Sequence, residues 1–478
     1  MSLQTRRQLF RSVVGSITGA VLLCGSNGTT YAQSAERWPQ LGYDNAGTGH
    51  APENTGPRLT AGIEEQWSFE TDNAVTASPA VAGGTVYVGA ENAVSALDGG
   101  DGTEQWSFGG LQSKKDGVKA SPTVANGSVY VGSSRGGPNG SVYALSADDG
   151  TEQWSFEPDN AARTSPVVAD GTVYVGSRDN HVYALNSNNG AEQWSFETGG
   201  EVDSPAVADD TVYVGSDDGS VYALNAGNGT EQWSFETGGR VSLQPAVAND
   251  SVYVGNSYGT VYALSAEDGT EQWSFETGDG VYSSPAVADN TVYVGSTDQA
   301  VYALNAEDGT EEWSFNTGDR ILSPPAVADG TVYFGSEDNN VYALSAEDGA
   351  EQWTFETSDK VWSSIAVADG TAYVGSWDGN VYAITGDTST PTDTSATTEA
   401  STTAETPTTT DTSATAETPT TIDTSATTEI PTTTPSGPQT ISGILTALLV
   451  GIFSTEAMVV VGISIIVVLI VQTWPEDE

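Results

Sequence analysis

At 478 residues the chain can bury several cores' worth of apolar surface, and it carries 64 acidic against 14 basic residues, a formal net charge of −50. Such a charge drives a compact state apart in dilute buffer. At about 1 M salt the Debye length is roughly 3 Å and the repulsion nearly vanishes, so the composition is that of a halophile. It excludes nucleic acid as a partner, because binding phosphates needs a basic stripe that is missing here, and the single cysteine, Cys24, excludes an internal disulfide.

The N-terminus reads Thr5-Arg6-Arg7-Gln8-Leu9-Phe10, followed by an apolar run from Val13 to Cys24 and polar residues to Ala32. This charged, apolar, polar layout resembles a twin-arginine export signal spanning residues 1–32, with cleavage after Ala32 and lipidation at Cys24 as the competing reading. Export by that route implies folding before translocation. Residues 33–63 form a leader that contains Trp38-Pro39-Gln40-Leu41-Gly42-Tyr43-Asp44.

From residue 64 to 385 the sequence repeats itself. A Trp followed by Ser or Thr and then Phe recurs at Trp67, Trp106, Trp154, Trp194, Trp233, Trp273, Trp313 and Trp353, at intervals of 39, 48, 40, 39, 40, 40 and 40 residues. The long interval holds an insertion around Lys114 and a longer loop at Arg135. Within one unit, the runs beginning at Ser284, Thr291, Ala300 and Glu311 are short and rich in β-formers, and Asp, Asn and Gly separate them. Four strands in about forty residues give a small antiparallel sheet that cannot cover both of its faces alone, which predicts an all-β, eight-bladed β-propeller. The first repeat is an orphan fourth strand from Glu64, and the last repeat ends after a third strand, Val381 to Ile384, so the two chain ends are expected to share the last blade.

Residues 386–440 are rich in Thr, Ser, Ala, Glu and Pro and lack aromatic side chains, a composition expected to form a disordered, mucin-like stalk. Residues 441–478 contain an apolar run to Val471. From Ala457 to Trp474 it would measure roughly 27 Å as a helix, enough for a single-pass membrane anchor ending in an acidic tail. The expectation is therefore a membrane-anchored protein with its propeller on the extracellular side of a halophilic archaeon, monomeric and bearing sequons at Asn126, Asn139, Asn228 and Asn249.

The stretch Ala303-Leu304-Asn305-Ala306-Glu307-Asp308-Gly309-Thr310-Glu311-Glu312-Trp313 resembles the tryptophan-docking motif of pyrroloquinoline-quinone-type propeller repeats. Its Ala, Gly and Trp return in seven unbroken units, for example Ala144, Gly150 and Trp154. The resemblance implies structural roles: Gly for a left-handed turn, Ala for close strand approach, Trp for the gap between blades. The leader is similar to the stretch before the first blade in archaeal members and in BamB-type scaffold proteins. Quinoprotein dehydrogenases on this scaffold use adjacent cysteines, calcium bound through side-chain oxygens and long roofing insertions. This chain has none of the cysteines and short, uniform units, so no catalytic residue, cofactor or metal is expected.

Comparing the units with one another shows two constant connections, between first and second strands and between third and fourth. The other two vary, and a meander places those two on one face. Every basic residue of the repeats falls in the variable connections: Lys114, Lys115, Lys119, Arg135, Arg163, Arg178, Arg240, Arg320 and Lys360, accompanied by Tyr258, Tyr282, Trp362 and Trp377. That face is expected to bind an anionic partner, a cell-surface protein or an acidic glycan, with Arg pairing to carboxylates and aromatic rings stacking. The bland alternative is that the bases only neutralise acids of their own loops, such as Asp179, Asp319 and Asp359.

Overall fold

The computed structural model describes residues 37–38, 40–51, 62–90, 93–109, 118–133 and 140–386. The export signal with Cys24, the stalk and anchor from residue 387 onward, Lys114, Lys115, Arg135 and Asn139 lie outside the described residues. Among the described residues no helix is long and apolar enough to cross a membrane.

Eight antiparallel sheets of the expected four strands form an eight-bladed β-propeller. Blade 4 is representative, with strands Ala206–Ala208, Thr211–Gly215, Ser220–Asn225 and Glu231–Glu236. The second strand is buried on both faces, as a sheet packed between two others must be, whereas the fourth alternates and buries only Trp233 fully. Pairing passes from Ala223↔Trp233 to Leu224↔Glu231, so Gln232 is a bulge, and the same shift recurs in the other blades. Such bulges raise the local twist of the outer strand. First and second strands join through two-residue turns with positive φ at both positions, as at Asp209 and Asp210, which is why Asp, Asn and Gly fill them.

Blades 1 to 7 follow in chain order from Ala80–Ala82 to Glu351–Glu356. Blade 8 is composite: Ala366–Ala368, Thr371–Gly375 and Asn380–Gly386 are completed by Ile63–Glu70, with Ile63 opposite Gly386 and Glu70 opposite Asn380. The first strands of successive blades touch around the axis, and those of blades 8 and 1 close the circle. The Ser364 N–H donates to Ser78 Oγ (2.8 Å) across the same seam.

Tryptophan fixes each blade to the next. Seven indole N–H groups, from Trp67 to Trp313, donate at 2.9–3.1 Å to a carbonyl in the turn between third and fourth strands of the following blade. In that turn a glycine with φ near +70° lies under the indole. A Cβ on Gly309 would stand 2.6 Å from the Trp273 ring. Trp353 faces composite blade 8, where two separate strands replace the hairpin, and its buried indole N–H has no acceptor among the described residues.

The leader does not precede the ring; it enters it. Arg37–Trp38 adds a fifth strand to the inner edge of blade 1. Further along, the carbonyls of Asn45, Ala46, Thr48 and Gly49 accept the N–H groups of Val207, Val247, Val287 and Val327, the inner-edge valines of blades 4 to 7, at 2.6–2.8 Å. Inner strand edges are otherwise unpaired, so the leader satisfies backbone donors that the ring exposes to its own axis. Asp44 holds this segment, accepting from Thr48 N (3.0 Å) and Thr48 Oγ1 (2.8 Å).

Candidate binding face

The connection between second and third strands follows one pattern in blades 3, 4, 6, 7 and 8: a buried Ser, one free position, then Asp, with Tyr four residues after the Asp. The Asp carboxylates of residues 179, 218, 298, 338 and 378 accept the hydroxyl protons of Tyr183, Tyr222, Tyr302, Tyr342 and Tyr382 at 2.7–2.8 Å. The same carboxylates accept an N–H from the incoming connection between blades, for example Gly318 on Asp338 (2.7 Å). Burial of the ring, and then the carboxylate beside it, hold the hydroxyls of Tyr183, Tyr302, Tyr342 and Tyr382 well above the ordinary tyrosine range. The module fixes the loop and leaves its free position, occupied by Arg178, Asp217, Thr297, Glu337 and Trp377, to vary.

The predicted face residues gather in three groups. Arg163 and Arg178 line a cavity of about 160 Å³ with Glu201, Asp203, Asp217 and Ser242. Arg178 Nε lies 3.0 Å from Glu201, and burial pushes the Asp203 carboxyl up. Arg240 approaches Asp217 at 3.6 Å and, with Tyr258 and Tyr282, borders a second cavity of about 400 Å³. The third group centres on Glu337, whose buried carboxylate takes Lys360 Nζ at 3.2 Å and Trp362 Nε1 at 2.9 Å, while the Trp362 and Trp377 rings meet edge to face at 4.4 Å. Arg320 stands exposed between the second and third groups, its carbonyl accepting the Glu337 N–H.

The neutralising acids are not those that the sequence suggests. Asp179, Asp319 and Asp359 spend their carboxylates on backbone and hydroxyl donors, including the N–H groups of Arg320 and Lys360. The ion pairs among the described residues instead join a loop to the between-blade connection that follows it: Asp217 and Glu337 in loops take Arg240 and Lys360 of the connections, whereas Glu201 in a connection takes Arg178 of the loop. Sequence reasoning missed these three acids. The readable signal for Asp217 and Glu337 was the Ser-x-Asp pattern, which marks the middle position as the one free to carry a partner; Glu201, in a connection between blades, had no such signal.

Among the described residues, the large apolar side chains left exposed are Tyr258 at 77%, Tyr282 at 42% and Trp377 at 37%, and all three lie on this face. The opposite rim, built from the constant turns, carries repeated acids such as Asp268 and Asp308, whose carboxyls are lowered by bonds from the Thr two residues on.

The family model described as Outer membrane protein assembly factor BamB matches residues 60–137, 109–216, 138–279 and 257–420. Among solved structures, BamB from Moraxella catarrhalis is similar with a TM-score of 0.58 and 20% identity, over 69% of this chain and 99% of its own. The quinohemoprotein alcohol dehydrogenase from Comamonas testosteroni is similar with a TM-score of 0.61 and 15% identity, over 73% of this chain and 80% of its own. A europium-containing methanol dehydrogenase gives 0.62 and 14%, over 74% and 98%. At such identities the likeness is one of fold. No protein of curated function matches the chain in sequence.

Proposed function

Because the chain belongs to the propeller family of the outer membrane protein assembly factor BamB, we propose that its ring is a recognition or scaffolding module without catalytic activity, which meets a cell-surface protein or an acidic glycan on its variable face. The observation that carries this reading is the coincidence, on one face, of the loop positions free to vary with the exposed aromatic rings and the basic side chains. A face needed only for folding would repeat itself as the opposite rim does. We place the propeller outside the membrane of a halophilic archaeon, carried on the stalk and single anchor. The net charge of −50, the Arg6-Arg7 signal layout and the apolar run ending at Val471 support that placement.

The chain's own residues do not fit the quinone chemistry of the dehydrogenases that share the fold. The only cysteine is Cys24, outside the repeats, so adjacent cysteines are impossible. Among the described residues no three His, Cys, Asp or Glu side chains converge as a cation site would require. Crosslinking on intact cells at native salt tests the proposal. The wild-type chain is expected to join surface material that a variant with Arg240→Glu, Arg320→Glu and Lys360→Glu loses; equal recovery by both would refute it.

A further inference from the structure

Blade 5 departs from the pattern of its neighbours in a concerted way. Its loop reads Asn256-Ser257-Tyr258-Gly259 where the others place Ser and then Asp. Asn256 takes over the missing work: its Oδ1 accepts the Tyr258 and Thr260 N–H groups at 3.0 Å, its Nδ2 donates to the Thr237 carbonyl at 3.0 Å, and Tyr262 turns its hydroxyl to that same carbonyl. The fold therefore has no use for a side chain at 258, and Tyr258 stands 77% exposed.

Two glycines are matched to the two exposed rings. Gly239 occupies the place held by Asp279, Asp319 and Asp359 in the following connections, and a Cβ there would stand 3.0 Å from Tyr258 Cδ2. Gly280 occupies the place of Arg240, Arg320 and Lys360, and a Cβ there would stand 2.7 Å from Tyr282 Cε2. Each tyrosine thus rests on bare backbone. A ring so supported is fixed before anything binds, which lowers the ordering cost of a stacked contact.

The two rings border the cavity of about 400 Å³, which Gly219, Gly238, Gly239, Ser257 and Arg240 line together with Asp217 and Asp218, carboxylates already engaged by Arg240 and Ser242 and by Tyr222 and Gly199, respectively. That volume falls in the small-ligand range of roughly 300–1,000 Å³. The Arg240 side chain is 69% exposed and its contact with Asp217 is long at 3.6 Å, so most of its donor fork is open to solvent at the cavity edge. On a body with a net charge of −50, an anionic ligand is attracted only where such a cation waits.

Resting on the binding reading above, we infer that the Tyr258–Tyr282–Arg240 cavity is a saccharide site for a carboxylate-bearing sugar unit, its ring stacked on the tyrosines and its carboxylate on Arg240. The partner of the variable face is thereby an acidic glycan rather than a protein. The test uses the full chain at high salt, titrated with oligogalacturonate and, as a neutral control, with a maltooligosaccharide of equal length. Wild type is expected to prefer oligogalacturonate by about tenfold or more, roughly one good charged contact. Tyr282→Ala should lose about tenfold for both sugars, Tyr258→Asp should lose about tenfold for the neutral sugar and more for the acidic one, Tyr258→Phe should bind as wild type does, and Arg240→Gln should lose only the acidic preference. Absence of binding, absence of preference, or variants indistinguishable from wild type would each overturn the assignment. If Tyr258→Asp abolishes crosslinking of a surface protein that oligogalacturonate fails to displace, the glycan assignment falls and the binding face stands; if the charge-reversed variant also crosslinks normally, both fall.

Discussion

The two rims of the ring are made from the same chain, yet they obey different rules. On the constant rim the seven turns between third and fourth strands touch the neighbouring blade: a left-handed glycine lies under an indole, and a turn carbonyl accepts the indole N–H. On the variable rim the Asp–Tyr module anchors five of the loops from within their own blade and the incoming connection, so the middle loop position is released from the packing. Invariance among the blades thus follows from contact between blades. Freedom follows from local self-sufficiency, and it is on the free rim that recognition chemistry can accumulate without cost to the ring.

A pair of glycines breaks this comparison open. Gly309 has φ +71° and would bring a Cβ to 2.6 Å from Trp273, whereas Gly238, on the other rim, has φ +79° and nothing within 4 Å. Gly309→Val combines backbone strain with a clash against an indole that cannot move away from its own hydrogen bond, and should cost about 3 kcal/mol or more. Gly238→Ala should cost about 1 kcal/mol, the backbone strain alone. Denaturant unfolding at constant high salt measures both, and equal losses would mean that the rims are not packed differently.

A smaller effect sharpens the constant rim itself. Trp313→Phe removes an indole N–H that donates to the Ala346 carbonyl at 3.0 Å, while Trp353→Phe removes one that has no acceptor among the described residues. Both lose similar packing, so Trp313→Phe should be the more destabilising by about 1 kcal/mol, the net worth of one hydrogen bond plus the relief of a buried orphan donor. Equal melting temperatures for the two variants would show that the composite blade supplies a partner at the seam after all.

These contrasts also explain how far the sequence could be read. Eight blades, their four strands and the shared blade 8 follow from the Trp spacing and from the two incomplete end repeats, because a repeat announces both its period and its interruption. The sorting of bases and aromatics onto one rim follows from the alternation of connections in a meander. What stayed hidden depends on contacts between units. Asp217 and Glu337 sit in the free positions of their loops and Glu201 in a connection between blades; they look like three more acids among 64, and only the ring brings Asp217 and Glu337 against bases of the next connection and Glu201 against Arg178 of the preceding loop. The leader's place on the axis was equally silent, since it binds through backbone carbonyls of Asn45, Ala46, Thr48 and Gly49, groups that every sequence possesses. The blade 5 exchange was visible as letters, but its meaning needed the geometry of Asn256.

The smallest effect concerns the module that frees the variable rim. Burial of the Tyr342 ring, and then the hydrogen bond and charge of Asp338, hold the Tyr342 hydroxyl well above its ordinary value of 10. The folded chain therefore keeps this proton longer than the unfolded chain does. The resulting stability is complete below pH 10 and is lost as pH rises beyond it toward the folded value. Replacing Asp338 with Asn keeps a hydrogen-bond acceptor but removes the charge, so the Tyr342 hydroxyl moves back toward 10 and its share of the alkaline loss shrinks. The variant should start with a slightly lower melting temperature at pH 8 and then lose less of it between pH 8 and pH 11 than wild type does. Four further modules remain untouched, so the difference should be a degree or two, and the small size of the change is itself the point: each loop is stabilised by its own pair. A loss as large as that of Gly309→Val would instead make the modules cooperative around the ring, and the variable rim would then be no freer than the constant one.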